Sequence, residues 1–233
     1  MIQTRSYGSC GVLDHPIFSE SIRRIRLLLA EQAAADPTRA AVLAALSPLE
    51  RDVLERCIHS SGDVTIAADL RFGPGACAIG AAALAAGAPI LTDTAMAAAA
   101  VAPMARRTFG NRLVCVLERA PERAPEGSTR TAAGMAAVLA ELAAAGEPPP
   151  VVLIGSAPTA LEVLLERVAA GAMAPALVIG MPVGFVGVAE SKRRLAASGL
   201  AQLRLEGSRG GAGLVAAACN ALLRAAWIAR MEA

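Results

Sequence analysis

The stretch VVLIGSAPT, Val151 to Thr159, joins two signals. Val151–Gly155 is a short run of apolar, mostly β-branched residues, the pattern of a strand buried on both faces. Ser156-Ala157-Pro158-Thr159 then reads as a helix start, with a serine placed to cap and a proline early in the first turn. A strand feeding directly into a helix is the unit from which α/β sheets are built, and the unit recurs along the chain. Candidate strands are Val64–Leu70, Pro89–Asp93, Arg112–Glu118, Val151–Gly155, Ala176–Met181 and Leu200–Glu206. Alanine-rich helices are expected near 75–86, 129–145, 157–170, 188–197 and 211–230. This alternation predicts an α/β sheet with helices on both faces.

The chain ahead of the first strand reads differently. Ile17, Phe18, Ile22, Ile25, Leu28 and Leu29 recur at helical spacing, which predicts an amphipathic helix over 16–34. Ser47-Pro48-Leu49-Glu50 combines an N-cap serine, proline at the first helical position and glutamate three residues on. That second helix ends at about His59. The Arg119–Gly127 and Glu147–Pro150 stretches are too short to be domain linkers, and no internal repeat is visible. One domain over 1–233 is expected, with a helical extension over 1–60 and an α/β core over 61–233.

Composition removes several classes of function. The net charge of +2 is nearly balanced, basic residues are scattered and aromatics make up 3%, so neither the basic stripe nor the stacking residues of a nucleic-acid binder are present. Hydrophobic content is 55%, and two uncharged windows, Phe72–Thr92 and Val168–Ala189, are long enough to span a bilayer. Both are interrupted by glycine and proline, and buried strands feeding tight turns account for them better than a membrane does. MIQTRSYGSC has no apolar core of signal-peptide length behind Arg5. The five cysteines are widely spaced without a CxxC pair, which points to reduced core thiols in a cytoplasmic protein and to no metal site.

Open α/β sheets bind ligands beyond the carboxyl ends of their strands, so the residues just after each strand are the informative ones. Gly73-Pro-Gly75-Ala-Cys-Ala78 fits GxGxxA, with Asp93 twenty residues on, the spacing of a nicotinamide-dinucleotide site. The proline between the glycines and the intervening Arg71 and Phe72 favour a plain strand-to-helix turn. Ser156 heads either an ordinary capped helix or an anion site made of free N–H groups. In GMPVGFVGVAESK, Gly180–Lys192, three glycines and a proline bring the backbone close to something, and Lys192 is either a solvated charge or a carboxylate partner. Gly207-Ser208-Arg209-Gly210-Gly211-Ala212-Gly213 is another such turn, where a guanidinium above a helix start suits a carboxylate or phosphate. ERCIHSSGD, Glu55–Asp63, holds one of two histidines, and His59 lies where helix carbonyls favour an imidazolium.

HSSGD at 59–63, GAPILTD at 87–93, STRTAA at 128–133, GSAPTAL at 155–161, GMPVGFVGVAESK at 180–192 and the SRGGAG turn occur in the order and approximate spacing of the precorrin-8X methylmutase family. The chain resembles that family over roughly residues 15–225. The resemblance implies a three-layer α/β/α sandwich with a mainly parallel, flavodoxin-like sheet, and a homodimer with its sites near the subunit interface. It implies an isomerase of cobalamin biosynthesis that moves a methyl group from C-11 to C-12 of precorrin-8X, or of its cobalt form, without a cofactor. The family's catalytic histidine maps onto His59, as proton donor. Substrate contacts are implied for Ser60, Asp63 and Asp93, for Thr129 and Arg130, and for Ser156 and Thr159. Gly184, Lys192, Arg209, Gly210 and Gly211 complete the set, with Arg130, Lys192 and Arg209 facing the tetrapyrrole's carboxylates. Ser156 stands where the family commonly has Asn, Ser208 where it has Arg or Lys, and Ala212 where it has Ser, while His15 has no counterpart. The resemblance implies hydrogenobyrinate or cobyrinate as the product, and the next pathway enzyme as the partner that takes it over. A non-catalytic tetrapyrrole carrier is the other reading of the same site.

Overall fold

In the computed structural model, residues 14–232 are described; the expectations for MIQTRSYGSC and for the Cys10 thiol lie outside them. The chain enters through three helices. α1 (Pro16–Ala35) is capped by His15, whose Nδ1 accepts from the Ile17 N–H at 3.2 Å, which gives that histidine a local role. It buries Ile22, Ile25 and Leu29, while Ile17 and Leu28 stay exposed. α2 (Pro37–Ala45) was not foreseen: its alanines carry no period to read, and Asp36 starts it by accepting from Thr38 and Arg39 N–H groups. α3 (Pro48–Ser61) has the expected reciprocal cap. The Glu50 N–H donates to Ser47 Oγ (3.3 Å) and the Ser47 N–H to Glu50 Oε2 (2.8 Å). It ends at Gly62, whose φ of 67° lies in the left-handed region that glycine reaches without strain.

The expected strand over Val64–Leu70 is mostly a 3₁₀ helix, Val64–Ala68. Val64 and Ile66 alternate as strand residues do, but Asp63 Oδ1 accepts from the Thr65 N–H (2.8 Å) and hydroxyl (2.6 Å), and this local turn wins. The strand that follows, β1, is only Leu70–Phe72. The remaining elements are α4 (Ala76–Ala85), β2 (Ile90–Thr92), α5 (Ala95–Arg107), β3 (Leu113–Cys115), α6 (Arg130–Ala144), β4 (Val151–Ile154), α7 (Pro158–Ala169), β5 (Leu177–Gly180), α8 (Val188–Ala197), β6 (Gln202–Leu205) and α9 (Ala212–Glu232). α5 was also missed, an alanine-rich helix with Pro103 inside it, and the end of the expected third strand is a 3₁₀ turn at Val116–Arg119.

The sheet order is β1-β6-β5-β4-β2-β3. β2 through β6 are parallel, and β1 pairs with β6 antiparallel, Leu70 opposite Leu205. Counted along the chain, the five parallel strands lie second-first-third-fourth-fifth, the flavodoxin arrangement, whose switch point falls between β2 and β4. α3, α4, α5 and α9 cover one face over a core that includes Ile90, Val151, Leu177 and Leu203; α6, α7 and α8 cover the other over Leu91, Val152 and Val178. α1 and α2 lie outside α3.

α9 is long and apolar enough to cross a membrane by length and composition. Its residues from Leu214 to Leu223 are buried against the sheet and the neighbouring helices apart from Asn220, so it is a core helix. The two glycine-broken windows resolve into strand, turn and helix, as their composition predicts.

Candidate active site

The carboxyl ends of the five parallel strands share one edge with the residues that precede the reversed β1. His59 reaches this region from the last turn of α3 and is exposed. Its Nδ1 lies 2.7 Å from Ser21 Oγ, and its ring meets the edge of Phe18 at 5.0 Å and 85°. The Arg56 guanidinium sits over the Phe18 ring, 4.5 Å from its centre. Ser21 and Phe18, both on α1, were missed in the sequence; the one signal was a hydroxyl three residues after an aromatic on a helix face. With Nδ1 engaged, Nε2 is the ring nitrogen without a partner among the described residues.

The neighbouring turns are tied to one another rather than left open. The Ser60 hydroxyl donates to the Gly213 carbonyl at 3.3 Å. Arg209 donates to Asp63 Oδ2 (2.6 Å), to Thr65 Oγ1 (2.7 Å) and to Asp69. The Thr65 hydroxyl and N–H, with Arg209, hold the Asp63 carboxyl below the usual carboxylate range. Arg209 was expected to meet a ligand carboxylate; here two of the protein's own carboxylates neutralise it. Gly184, at φ 139°, donates its N–H to Ser208 O (3.0 Å), and Gly211 donates to Met181 O (2.9 Å). Gly210 is required by this approach, because a Cβ there would overlap the Met181 carbonyl. At the tip of this rigid pair of loops Phe185 and Val186 are 94% and 88% exposed. Ser208 and Ala212, the departing positions, contribute backbone: the Ser208 carbonyl takes the Gly184 N–H, and Ala212 lies over Gly155, where a Cβ would come within 2.7 Å of its nitrogen.

Two expected ligand contacts are corrected by burial. Lys192 is fully buried, and its ammonium donates to the carbonyls of Gly207 (2.8 Å) and Arg209 (2.7 Å), so it holds the turn from below instead of facing solvent. Burial lowers its pKa to about 8, with Glu206 opposing the shift. Asp93 is fully buried too, at the switch point. Its Oδ2 accepts from the N–H groups of Ser156 (2.6 Å) and Ala157 (2.8 Å). Burial pushes its carboxyl above the ordinary range, and these amides pull the other way. The donors expected to greet an anion at Ser156 therefore already hold one. Ser156 is not the cap either: α7 starts at Pro158, one residue later than that role needs, with Ala157 in the cap position.

Beside the switch point, Thr129 caps α6 by accepting from the Ala132 N–H (3.1 Å), and its Oγ1 meets Thr159 Oγ1 at 2.7 Å. Arg130 is the first residue of α6. Its Nε donates to Pro121 O (2.8 Å), and it forms no ion pair among the described residues. Of the three cations expected at the site, Arg130 is the exposed one that forms no ion pair among the described residues, since Arg209 is paired with two carboxylates and Lys192 is buried on two carbonyls.

The dinucleotide reading fails on topology. Because β1 runs against the other strands, the Gly73–Ala78 turn follows it at the amino edge of the parallel sheet, where Gly73 N–H donates to Gln202 O (2.8 Å) at the start of β6. It faces away from Asp93 and the strand ends. Cys57, Cys77, Cys115 and Cys219 are free and buried, and burial pushes the thiols of Cys57, Cys77 and Cys219 up to about 12. Those three are packing groups, protonated at neutral pH.

A flavodoxin-type α/β sheet with a histidine and an arginine without an ion pair among the described residues along its ligand-binding edge places the chain among the doubly wound small-molecule-binding proteins. The sequence model of the precorrin-8X methylmutase family matches residues 16–225. A precorrin-8X methylmutase of Pseudomonas aeruginosa is 49% identical over 172 residues, 72% of this chain and 80% of that protein. A cobalt-precorrin-8 methylmutase of Synechocystis is 35% identical over 229 residues, covering 92% and 97%. The crystal structure of a precorrin-8X methylmutase from Thermus thermophilus superposes with a TM-score of 0.74 at 37% identity, covering 91% of this chain and 96% of that one. The chain belongs to the precorrin-8X methylmutase family, and so to the isomerases.

Proposed function

We propose that this protein moves the C-11 methyl group of precorrin-8X, or of its cobalt form, to C-12, with His59 as the proton donor. The observation that carries the reading is the setting of His59: Ser21 and Phe18 fix the ring at a helix end and leave Nε2 without a partner among the described residues. A protonated Nε2 donates to a ring nitrogen of the macrocycle, which withdraws electrons from the conjugated system. The methyl then migrates with its bonding pair, breaking the bond to C-11 and forming that to C-12. The ring nitrogen returns its proton to His59, so that substrate and product are isomers. Arg130 meets a peripheral carboxylate of the tetrapyrrole. Arg209 and Lys192 act one step back, by holding the turns. The family resemblance further supports a homodimer and a cytoplasmic setting.

The test is to supply the purified protein with precorrin-8X alone and follow the absorption spectrum. Conversion to hydrogenobyrinate is expected for the wild type, and a carrier would leave the spectrum of the substrate unchanged. His59→Ala is expected to lose turnover by roughly 10²–10⁴-fold, the usual worth of a positioned general acid, while still binding the coloured product. Near-normal turnover in that variant would remove His59 from the chemistry.

A further inference from the structure

Asp93 takes no part in the chemistry above, yet it is a carboxylate with no exposed surface at the switch point of the sheet. One oxygen accepts two backbone N–H groups, from Ser156 and Ala157, and the other, Oδ1, is buried without a partner. An ionisable group kept in this state is costly, and packing alone would be served better by an apolar side chain. Its connections lead in one direction. The turn it grips opens α7, whose Thr159 hydroxyl bonds that of Thr129 at 2.7 Å. Thr129 is the cap of α6, and the next residue is Arg130, the first of that helix, whose Nε donates to Pro121 O. From the end of β2 to the guanidinium, each step is a hydrogen bond or a covalent neighbour.

We propose that Asp93 is a positioning residue for Arg130. By clamping the Ser156–Ala157 turn it sets the Thr159–Thr129 bridge, and with it the start of α6 from which Arg130 reaches the ligand. The proposal rests on the reading that Arg130 meets a carboxylate of the tetrapyrrole.

A double-mutant cycle on affinity for hydrogenobyrinate, read by its absorbance, tests both separately, with thermal unfolding recorded for each variant. Arg130→Ala is expected to weaken binding by about tenfold or more, as loss of a charge-assisted bond does. Asp93→Ala should weaken it by about tenfold through the same contact, and Asp93→Ala with Arg130→Ala should bind no more weakly than Arg130→Ala alone. Asp93→Asn keeps an amide oxygen for the two N–H groups and should bind within about threefold of wild type. If Asp93→Ala does not fold, Thr159→Val breaks the bridge at constant shape, and its loss should likewise vanish in the Arg130→Ala background. Losses that add, wild-type affinity in Asp93→Ala or in Thr159→Val, or weak binding by folded Asp93→Asn would overturn the positioning role while leaving Arg130 at the site. Wild-type affinity in Arg130→Ala would overturn both.

Discussion

Lys192 is the only lysine in a chain with 21 arginines, which makes its ionisation open to direct measurement. Its ammonium is buried and donates to two backbone carbonyls, Gly207 O and Arg209 O. A pKa lowered from 10.5 to about 8 corresponds to about 3 kcal/mol spent on keeping the charged form out of water. Two hydrogen bonds from a charged donor return about 1.5–3 kcal/mol each. These terms oppose one another at neutral pH, so Lys192→Met is expected to cost only about 1–2 kcal/mol. Between pH 8 and 10.5 the unfolded chain binds a proton at this site that the folded chain has released. Folding therefore gains stability as pH rises through that window. The neutral amine still has two N–H groups for the two carbonyls, so the turn keeps its shape. The stability gap between wild type and Lys192→Met, from urea unfolding, should widen by about 2–3 kcal/mol between pH 7 and about pH 10. Every other titrating group is common to both proteins and cancels. Side-chain ¹⁵N-lysine labelling gives a single resonance whose titration midpoint should fall near 8. A midpoint near 10.5, together with a gap that does not change with pH, would refute the desolvated ammonium.

Two further outcomes are specific to the geometry. Ser21→Ala removes the hydrogen-bond partner of His59 Nδ1 and should lower turnover by about fivefold with product affinity unchanged, since about 1 kcal/mol of orientation is lost; an unchanged rate would mean that Phe18 packing alone orients the ring. Gly210→Ala places a methyl on the Met181 carbonyl and should cost about 2–4 kcal/mol of stability in urea unfolding. A variant as stable as wild type would show that the two loops are not in backbone contact.

The strands that read cleanly from the sequence are those buried on both faces. Val151–Ile154 and Leu177–Gly180 are continuous apolar runs with no alternative partner for their backbone. Val64–Ala68 failed because its apolar alternation is weaker evidence than an aspartate able to bond two residues ahead. α2 and α5 failed for the opposite reason: α2 buries no residue, and in α5 alanines on every side mask the stripe it does bury, Ala97, Val101, Met104 and Ala105. The direction of β1 is set by pairing with β6, more than a hundred residues away, and no local feature of Leu70–Phe72 records it. At the site, His59 stood out by its motif, whereas Ser21 lies 38 residues away on another helix and is marked only as a hydroxyl three residues after Phe18. Asp93 and Lys192 were recognised as important residues with the wrong orientation. A charge beside a glycine-rich turn reads the same whether it faces a ligand or the backbone of the turn itself. The single lysine among arginines was the available clue: a compact ammonium fits between two carbonyls, and a planar guanidinium does not.

The position of α9 has a consequence for how the chain comes together in time. This helix carries nine buried residues between Leu214 and Leu223 and packs on α3, α4 and α5 as well as on β4 and β5, yet it follows every strand in the chain. During synthesis the α6–α7–α8 face of the sheet can close as its helices emerge. On the opposite face α4 and α5 are available early, but the parts of β4 and β5 that α9 covers stay open until residue 223 has been made. The nascent protein thus passes through a stage with part of β4 and β5 bare on that face, and a chain cut before α9 would present that apolar surface to chaperones and proteases.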